Sequence, residues 1–125
     1  MKTTFVQRAL SVFLVLASSL AGSTFAAAQS FDGFNRRINI VNDSPYPVMQ
    51  LYASNVVTGV WQEDLLGQYI LLPGGEIGGT IDDGSRYCHY DVKAVLFDGS
   101  ELIRWNVDVC SASYLDITGS SILVV

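Results

Sequence analysis

His89 and Asp91 come nearest, among the side chains of this sequence, to the types and spacing of a catalytic pair. His89 is the single histidine and lies two residues before Asp91, so both would project from one face of a strand as an oriented general base. A serine nucleophile would complete the arrangement, but the sequence has no Gly-x-Ser-x-Gly turn to present one. We therefore interpret the pair as solvent-facing strand residues and predict that the protein is not an enzyme.

Glu63 and Asp64 form a second acidic pair. Enzymes that hydrolyse glycosidic bonds use two carboxylates that flank the bond and lie several ångströms apart. Adjacency in sequence does not indicate such an arrangement. A small secreted hydrolase that uses Asp64, His89 or Asp91 is the alternative function.

Asp82 and Asp83, followed by Gly84 and Ser85, could supply oxygen ligands to Ca²⁺. Calcium takes six to eight such ligands, and the sequence lacks the spaced D-x-[DN]-x-[DN]-G loop that provides them. We predict an acidic turn here, with no metal and no other cofactor. A Ca²⁺-stabilised adhesion-type module is the alternative.

Aromatic side chains could line a surface for a carbohydrate or a peptide, although in β-proteins they more often pack in the core or across strands. The residues considered are Trp61, Tyr46, Tyr52, Tyr69 and Tyr114. The predicted binding-surface residues are Trp61, Asp64, Asp82 and Asp83. The predicted partner is an unidentified protein or glycan.

The first 28 residues have the order of parts expected of a secretory signal peptide. Lys2 and Arg8 precede an apolar run at residues 9–21, and small residues follow up to Ala28. A 13-residue helix would span only about 20 Å, which is too short for a bilayer core of about 30 Å. Cleavage is predicted between Ala28 and Gln29, with an uncleaved N-terminal helix as the alternative.

Two other export routes do not fit the sequence. Ser23 stands where a bacterial lipoprotein signal has its lipid-bearing cysteine, and the pair Arg36-Arg37 follows the apolar run instead of preceding it. We therefore predict the general secretory route, no stable membrane anchor, and a location in the periplasm or outside the cell.

Cleavage would leave a single domain of 97 residues, 29–125, with five basic side chains against all 12 acidic ones and a net charge of about −7. That balance excludes nucleic acid as a partner, because phosphate binding needs a clustered basic surface. Cys88 and Cys110 are the only cysteines. In an exported protein such a pair predicts a disulfide; two free thiols are the alternative.

The remaining sequence predicts an all-β domain. Short apolar runs separated by Gly, Pro, Asn and Asp recur about every 8 to 12 residues. The predicted strands cover residues 37–41, 48–53, 69–72, 76–81, 87–97, 101–109, 114–118 and 122–125, with a possible helical turn within 54–68. About seven or eight strands favour a small antiparallel two-sheet β-sandwich, and a small closed barrel is the alternative.

The clearest unit is a hairpin around Asp98-Gly99, a two-residue turn signal between alternating runs. That turn would set Cys88 opposite Val109 and leave Cys110 one residue out of register, so we predict an irregularity at the open end of the hairpin. On the first strand, the shared face holds Cys88, Tyr90, Val92, Ala94 and Leu96. On the second strand, one face holds Ile103, Trp105, Val107 and Val109, and the turn would place this face together with that of the first strand.

The chain resembles a family of small exported bacterial proteins of unknown function. The resemblance rests on residues 38–42, 51–54, 61 with 64–67, 72–74, 82–84, 88 with 90–91, 98–99 and 107–110. It implies a compact β-domain without known catalytic residues. Similar chains are sometimes labelled argininosuccinate lyase, an erroneous label, since those lyases are large helical oligomers. Residues 38–42 are also similar to the first strand of thaumatin-like and aegerolysin-type sandwiches.

Overall fold

The structure is a computed structural model that describes residues 24–25 and 28–125. Eight strands make up its regular secondary structure. They are β1 (Thr24–Phe25), β2 (Arg37–Asn42), β3 (Val48–Asn55), β4 (Glu76–Thr80), β5 (His89–Leu96), β6 (Glu101–Asp108), β7 (Tyr114–Ile117) and β8 (Ile122–Val124). No helix among these described residues is long and apolar enough to cross a lipid bilayer.

The strands form two sheets, which confirms the all-β, two-sheet prediction. The larger sheet has the order β1-β4-β2-β7-β8 and the smaller has the order β3-β5-β6. Most neighbours are antiparallel as predicted, but β1 runs parallel to β4, and β2 runs parallel to β7. The parallel pairing of β2 with β7 joins residues that are more than 70 positions apart, for example Ile40 and Leu115.

One apolar core lies between the sheets. The larger sheet contributes alternate residues such as Ile38, Ile40, Leu115 and Ile117, all at most 1% exposed. The facing residues of the smaller sheet include Leu51, Tyr90, Val92, Ala94 and Leu96. This is the alternation expected where each sheet has one buried face.

Two of the predicted elements are wrong in detail. Residues 69–72 form no strand, because only Leu71 makes a bridge, to Val48. Residues 65–68 form hydrogen-bonded turns instead of a helix, in which Gly67 N donates to Asp64 O and Tyr69 N donates to Leu66 O. Both segments lie in the long connection from β3 to β4, where tertiary contacts outweigh local propensity.

The hairpin loop has three residues, Phe97, Asp98 and Gly99, instead of the predicted two. Leu96 N donates to Ser100 O at 2.9 Å, and Gly99 N donates to Leu96 O at 2.9 Å. Gly99 has a φ of 88°, the left-handed conformation that ends this class of loop. The pairing of β5 with β6 near the turn is therefore shifted by one residue from the predicted register.

A β-bulge then restores the predicted register. Tyr90 pairs with Val107 but Val92 pairs with Arg104, so both Trp105 and Asn106 lie opposite Asp91. Beyond this bulge, Val109 N donates to Cys88 O at 2.9 Å, as the sequence predicts. The irregularity exists, but it lies three residues inside Cys88 and not at the open end.

Candidate functional site

Four side chains meet on the outer face of the smaller sheet, and we call them the aromatic face: Tyr52, Trp61, Lys93 and Trp105. The rings of Trp61 and Trp105 stack with centroids 6.0 Å apart, and Tyr52 lies 6.5 Å from Trp61. Lys93 Nζ lies 5.1 Å from the centre of the Tyr52 ring and 5.0 Å from that of Trp61. These distances allow cation–π attraction between Lys93 and the rings of Tyr52 and Trp61.

Trp105 reaches this face because of the hairpin geometry. A two-residue turn predicts Ile103 and Trp105 on the same side of the sheet as Tyr90 and Val92, and that prediction is wrong. The three-residue loop turns Leu102 towards the core instead, and Trp105 is 61% exposed. Of the four β6 residues predicted to share one face, only Val107 and Val109 are buried.

A hollow of about 120 Å³ adjoins the stacked tryptophans. Its lining consists of Ser54, Asn55, Gly59, Val60, Trp61, Asp91 and Trp105. Asp91 lines this hollow, and its Oδ1 accepts a hydrogen bond from Asn106 N at 2.9 Å. The hollow therefore combines the aromatic surface of the two tryptophans with the carboxylate of Asp91. The side chains of Ser54 and Asn55 are buried and hydrogen-bonded within the protein.

His89 and Asp91 lie on the solvent side of β5, as interpreted from the sequence. His89 is exposed, and Asp91 is engaged by the bulge through Asn106 N. Nothing in the described part of the chain links the two side chains by a hydrogen bond. The arrangement of an oriented base therefore does not form at this position.

Asp64 serves the packing of its own loop. Its Oδ1 accepts hydrogen bonds from Leu51 N at 2.9 Å and Leu66 N at 3.0 Å. The carboxylate thus anchors the loop to β3 while it stabilises the turn that follows. Glu63, its neighbour, is exposed.

Asp82 is 4% exposed and its carboxylate is surrounded by donors. Ser30 N lies 2.7 Å from Oδ2, while Ser30 Oγ and Gly84 N lie 2.6 and 2.9 Å from Oδ1. Burial raises the pKa of Asp82, but these hydrogen bonds outweigh it and hold the pKa below its usual value. The role of Asp82 is to bind the N-terminal segment.

The carboxylate of Asp83 is also surrounded by hydrogen-bond donors. It accepts hydrogen bonds from Asn55 Nδ2 at 2.6 Å, Tyr90 Oη at 2.9 Å and Ser85 N at 3.0 Å. Burial raises the pKa of Tyr90 to about 12. A Ca²⁺ ion at Asp82 and Asp83 would have to displace donors that already satisfy both carboxylates.

Arg36 carries a buried charge that the sequence analysis did not single out. It is 2% exposed, and its guanidinium donates to both carboxylate oxygens of Asp32 at 2.6 and 2.9 Å and to Tyr87 O at 2.8 Å. Asp82 Oδ2 lies 3.9 Å away. We call Ser30, Asp32, Arg36 and Asp82 the N-terminal clasp, because they bind residues 30–36 to the segment that leads into β5.

Cys88 and Cys110 are joined by a disulfide, with Cα atoms 5.3 Å apart, and this confirms the predicted bond. Together with Asp108 they form the one group of three potential metal ligands found in the described residues. Both sulfurs are already bonded to each other and Asp108 Oδ1 accepts from Cys110 N at 3.0 Å. The group therefore stabilises the end of the hairpin.

The predicted signal peptide lies mostly outside the described residues. Of the described part, Thr24–Phe25 pairs with β4, and Ala28 is exposed. Ser30 is buried in the N-terminal clasp. The folded contacts around Asp82 thus begin two residues after the predicted cleavage point between Ala28 and Gln29.

Comparisons with known proteins support the fold alone. No family model matches the chain, and no curated protein matches it. The chain is similar in structure to a protein from Eubacterium rectale determined by NMR, with a TM-score of 0.53 and 15% sequence identity over 77% of this chain and 94% of that one. The resemblance to small exported bacterial proteins stays a prediction.

Part of the aromatic face could be predicted from the sequence. Trp61 was predicted, but Trp105, Lys93 and the placement of Asp91 beside the tryptophans were not. A signal was available in Gly99, since a three-residue loop that ends in glycine is the next most common hairpin connection after the two-residue turn. That loop would have turned Trp105 outward.

Proposed function

We propose that the chain is a non-enzymatic exported module that binds a neutral glycan at the aromatic face. The observation that carries the proposal is the stacked pair of Trp61 and Trp105 beside Asp91, with Trp105 61% exposed. A large aromatic side chain held on the surface next to polar groups is typical of a recognition site.

A sugar ring has the chemistry that this hollow complements. A pyranose presents an apolar C–H face, which fits the open face of Trp105, and a rim of hydroxyls, which can donate to the carboxylate of Asp91. A volume of about 120 Å³ corresponds to about four waters of liquid, which one ring could displace. A protein partner would instead need about 800 Å² of its surface to be covered.

Charge favours a neutral glycan over an acidic one. The predicted mature domain has a net charge of about −7, and Asp91 lies in the lining of the hollow. Lys93 Nζ lies over the rings of Tyr52 and Trp61 and is 3.5 Å from Glu101 Oε2. A sugar carboxylate or sulfate would therefore meet like charge at the hollow.

Binding without hydrolysis is supported by the number of acids. Glycosidases need two carboxylates on either side of the bond, whereas Asp91 is the single acid in the described lining of the hollow. Export is supported by the order of charged, apolar and small residues before Gln29. The bonded Cys88–Cys110 pair is consistent with an oxidising compartment.

The proposal is tested with an array of neutral and acidic glycans, followed by calorimetric titration of the best ligand. Trp105→Ala should weaken binding by about tenfold or more, as truncation of an aromatic anchor costs at least 1.4 kcal/mol. Phe97→Ala is the matched control, because Phe97 is 69% exposed at the hairpin loop, away from the hollow.

Two results would contradict the proposed glycan binding. One is the absence of any neutral glycan that binds the folded protein. The other is equal binding by wild type and Trp105→Ala. Asp91→Asn should weaken binding as well, since an amide is a poorer acceptor for a sugar hydroxyl than a carboxylate.

A further inference from the structure

The outer edge of β4 has a site for an aromatic side chain beside Gly79, which we call the Gly79 seat. Thr24 pairs with Gly78 and Phe25 pairs with Gly79 in parallel. Phe25 is 7% exposed and belongs to the core. A Cβ on Gly79 would overlap the Phe25 carbonyl oxygen and lie 2.8 Å from the ring. The missing side chain at Gly79 therefore makes the space that Phe25 occupies.

The predicted cleavage removes the occupant of this seat. A cut between Ala28 and Gln29 detaches Thr24 and Phe25, while Ser30 stays bound to Asp82 through two hydrogen bonds. The cut would expose the unpaired N–H and C=O groups along the outer edge of β4 and empty an apolar seat. Such an edge is a template for an incoming extended segment.

We propose that the exported protein uses the β4 edge to bind an extended segment of a partner protein, aligned parallel to β4, with an aromatic side chain in the Gly79 seat. The chain's own Thr24–Phe25 segment shows what fits: Phe25 is buried, whereas the side chain of Thr24 is exposed. Recognition would thus depend on main-chain pairing and one aromatic residue. This inference rests on the predicted cleavage and is independent of the aromatic face.

A second copy of this chain fits the edge less well. Pairing of two β4 edges would place Gly78 and Gly79 of one copy against the same strand of the other. Neither strand would then supply the aromatic ring that fills the seat in this structure. A partner segment with its own phenylalanine satisfies both the edge and the seat.

The experiment begins with the full chain expressed in a host that exports it, purified after export, with its N-terminus read by intact mass. The expected N-terminus is Gln29. A peptide with the sequence of residues 22–28 is then titrated by calorimetry, beside the same peptide carrying Phe25→Ala or Thr24→Ala. The Phe25→Ala peptide should bind about 10- to 100-fold more weakly, because it lacks the buried ring. The Thr24→Ala peptide should bind within about twofold of the parent.

Three results would overturn the inference. A mass that retains residues 24–25 would show that the seat is filled permanently. Equal affinities for the parent and Phe25→Ala peptides would show that the ring is not recognised. A dimer in sedimentation that the parent peptide does not dissociate would assign the edge to a second copy. Because the peptides change and the protein does not, failure to fold cannot imitate a loss of binding.

Discussion

Arg36→Met should strongly destabilise the protein, although Arg36 lies outside the apolar core. Methionine keeps the length of the side chain but has no charge and no donors. The change removes two hydrogen bonds to Asp32 and one to Tyr87 O, and it takes away the only cation within 4 Å of Asp82 among the described contacts. Because Arg36 is 2% exposed, water cannot replace what is lost.

The expected cost follows from the burial of Arg36. Removal of one partner from a buried ion pair costs about 3 to 5 kcal/mol. We expect the lower end, about 3 kcal/mol, because Asp32 is near the surface and can be hydrated, with a side chain 12% exposed. In a domain of this size each kcal/mol lowers Tm by about 4 to 8 °C, so Tm should fall by about 12 to 24 °C.

The measurement is thermal and urea unfolding followed by circular dichroism, with Arg37→Met as the matched control. Arg37 is the adjacent residue, has the same side chain and is exposed on β2, so its replacement should change the free energy of unfolding by less than about 0.5 kcal/mol. The reasoning is refuted if the two variants lose equal stability, or if Arg36→Met loses less than about 1 kcal/mol.

Acidification provides a second test of the same contact. Hydrogen bonds from Arg36 hold the pKa of Asp32 well below its usual range, and the folded pKa of a carboxyl is then lower than its unfolded value of about 3.9. The stabilisation is present above that value and is lost as the pH falls below it. The difference in stability between wild type and Arg36→Met should therefore shrink below about pH 4, and a constant difference down to pH 2 would contradict the assignment.

Three further predictions concern stability and can be read from urea or guanidinium unfolding. Asp116→Asn should stabilise the protein by about 0.5 kcal/mol at pH 7 and have no effect near pH 3. The hydrogen bond and charge of Asp43 raise the pKa of Asp116, so the ionised form of Asp116 lowers stability above about pH 4. Lower stability of Asp116→Asn than of wild type at pH 7 would contradict this. Replacement of both Cys88 and Cys110 by Ser should cost about 3 kcal/mol, and a cost below 1 kcal/mol would show that the loop is ordered without the bond. Gly99→Ala should cost about 1 kcal/mol through backbone strain alone, since φ is 88° and no atom lies within 4 Å of an added Cβ; Gly99→Asn should recover part of that cost.

In the β5–β6 hairpin, the sequence pattern predicts the faces of one strand correctly and those of the other only in part. Alternation along β5 places Tyr90, Val92, Ala94 and Leu96 on one face, as predicted, because a period of two fixes which residues of a strand share a face. The structure buries that face in the core. Alternation along β6 is equally regular, yet the predicted face is wrong at Trp105. The face depends on the length of the loop and on the bulge opposite Asp91, and each of these shifts the register by one residue.

The candidate site was predictable only in part for the same reason. Trp61 was identified as a surface aromatic in the connection from β3 to β4. Its neighbours Lys93 and Trp105 come from β5 and β6, and their meeting requires the register of the smaller sheet. Asp82 was identified for its acidity, whereas its actual partner is Ser30, 52 residues earlier in the chain. Such pairings are long-range, and local composition carries no information about them.

Most of the strands, most of their buried faces, the disulfide and the acidic balance of the domain could be predicted from the sequence, since these follow from local periodicity, from the number of cysteines and from counted charges. Tertiary structure decided which side chains share a surface. Arg36 and Arg37 are identical in type and adjacent, yet one is enclosed by Asp32, Asp82 and Tyr87 O and the other is exposed. That difference arises because the N-terminal segment docks across the chain, and the free energy of burying a charge depends on the partners that distant residues bring to it.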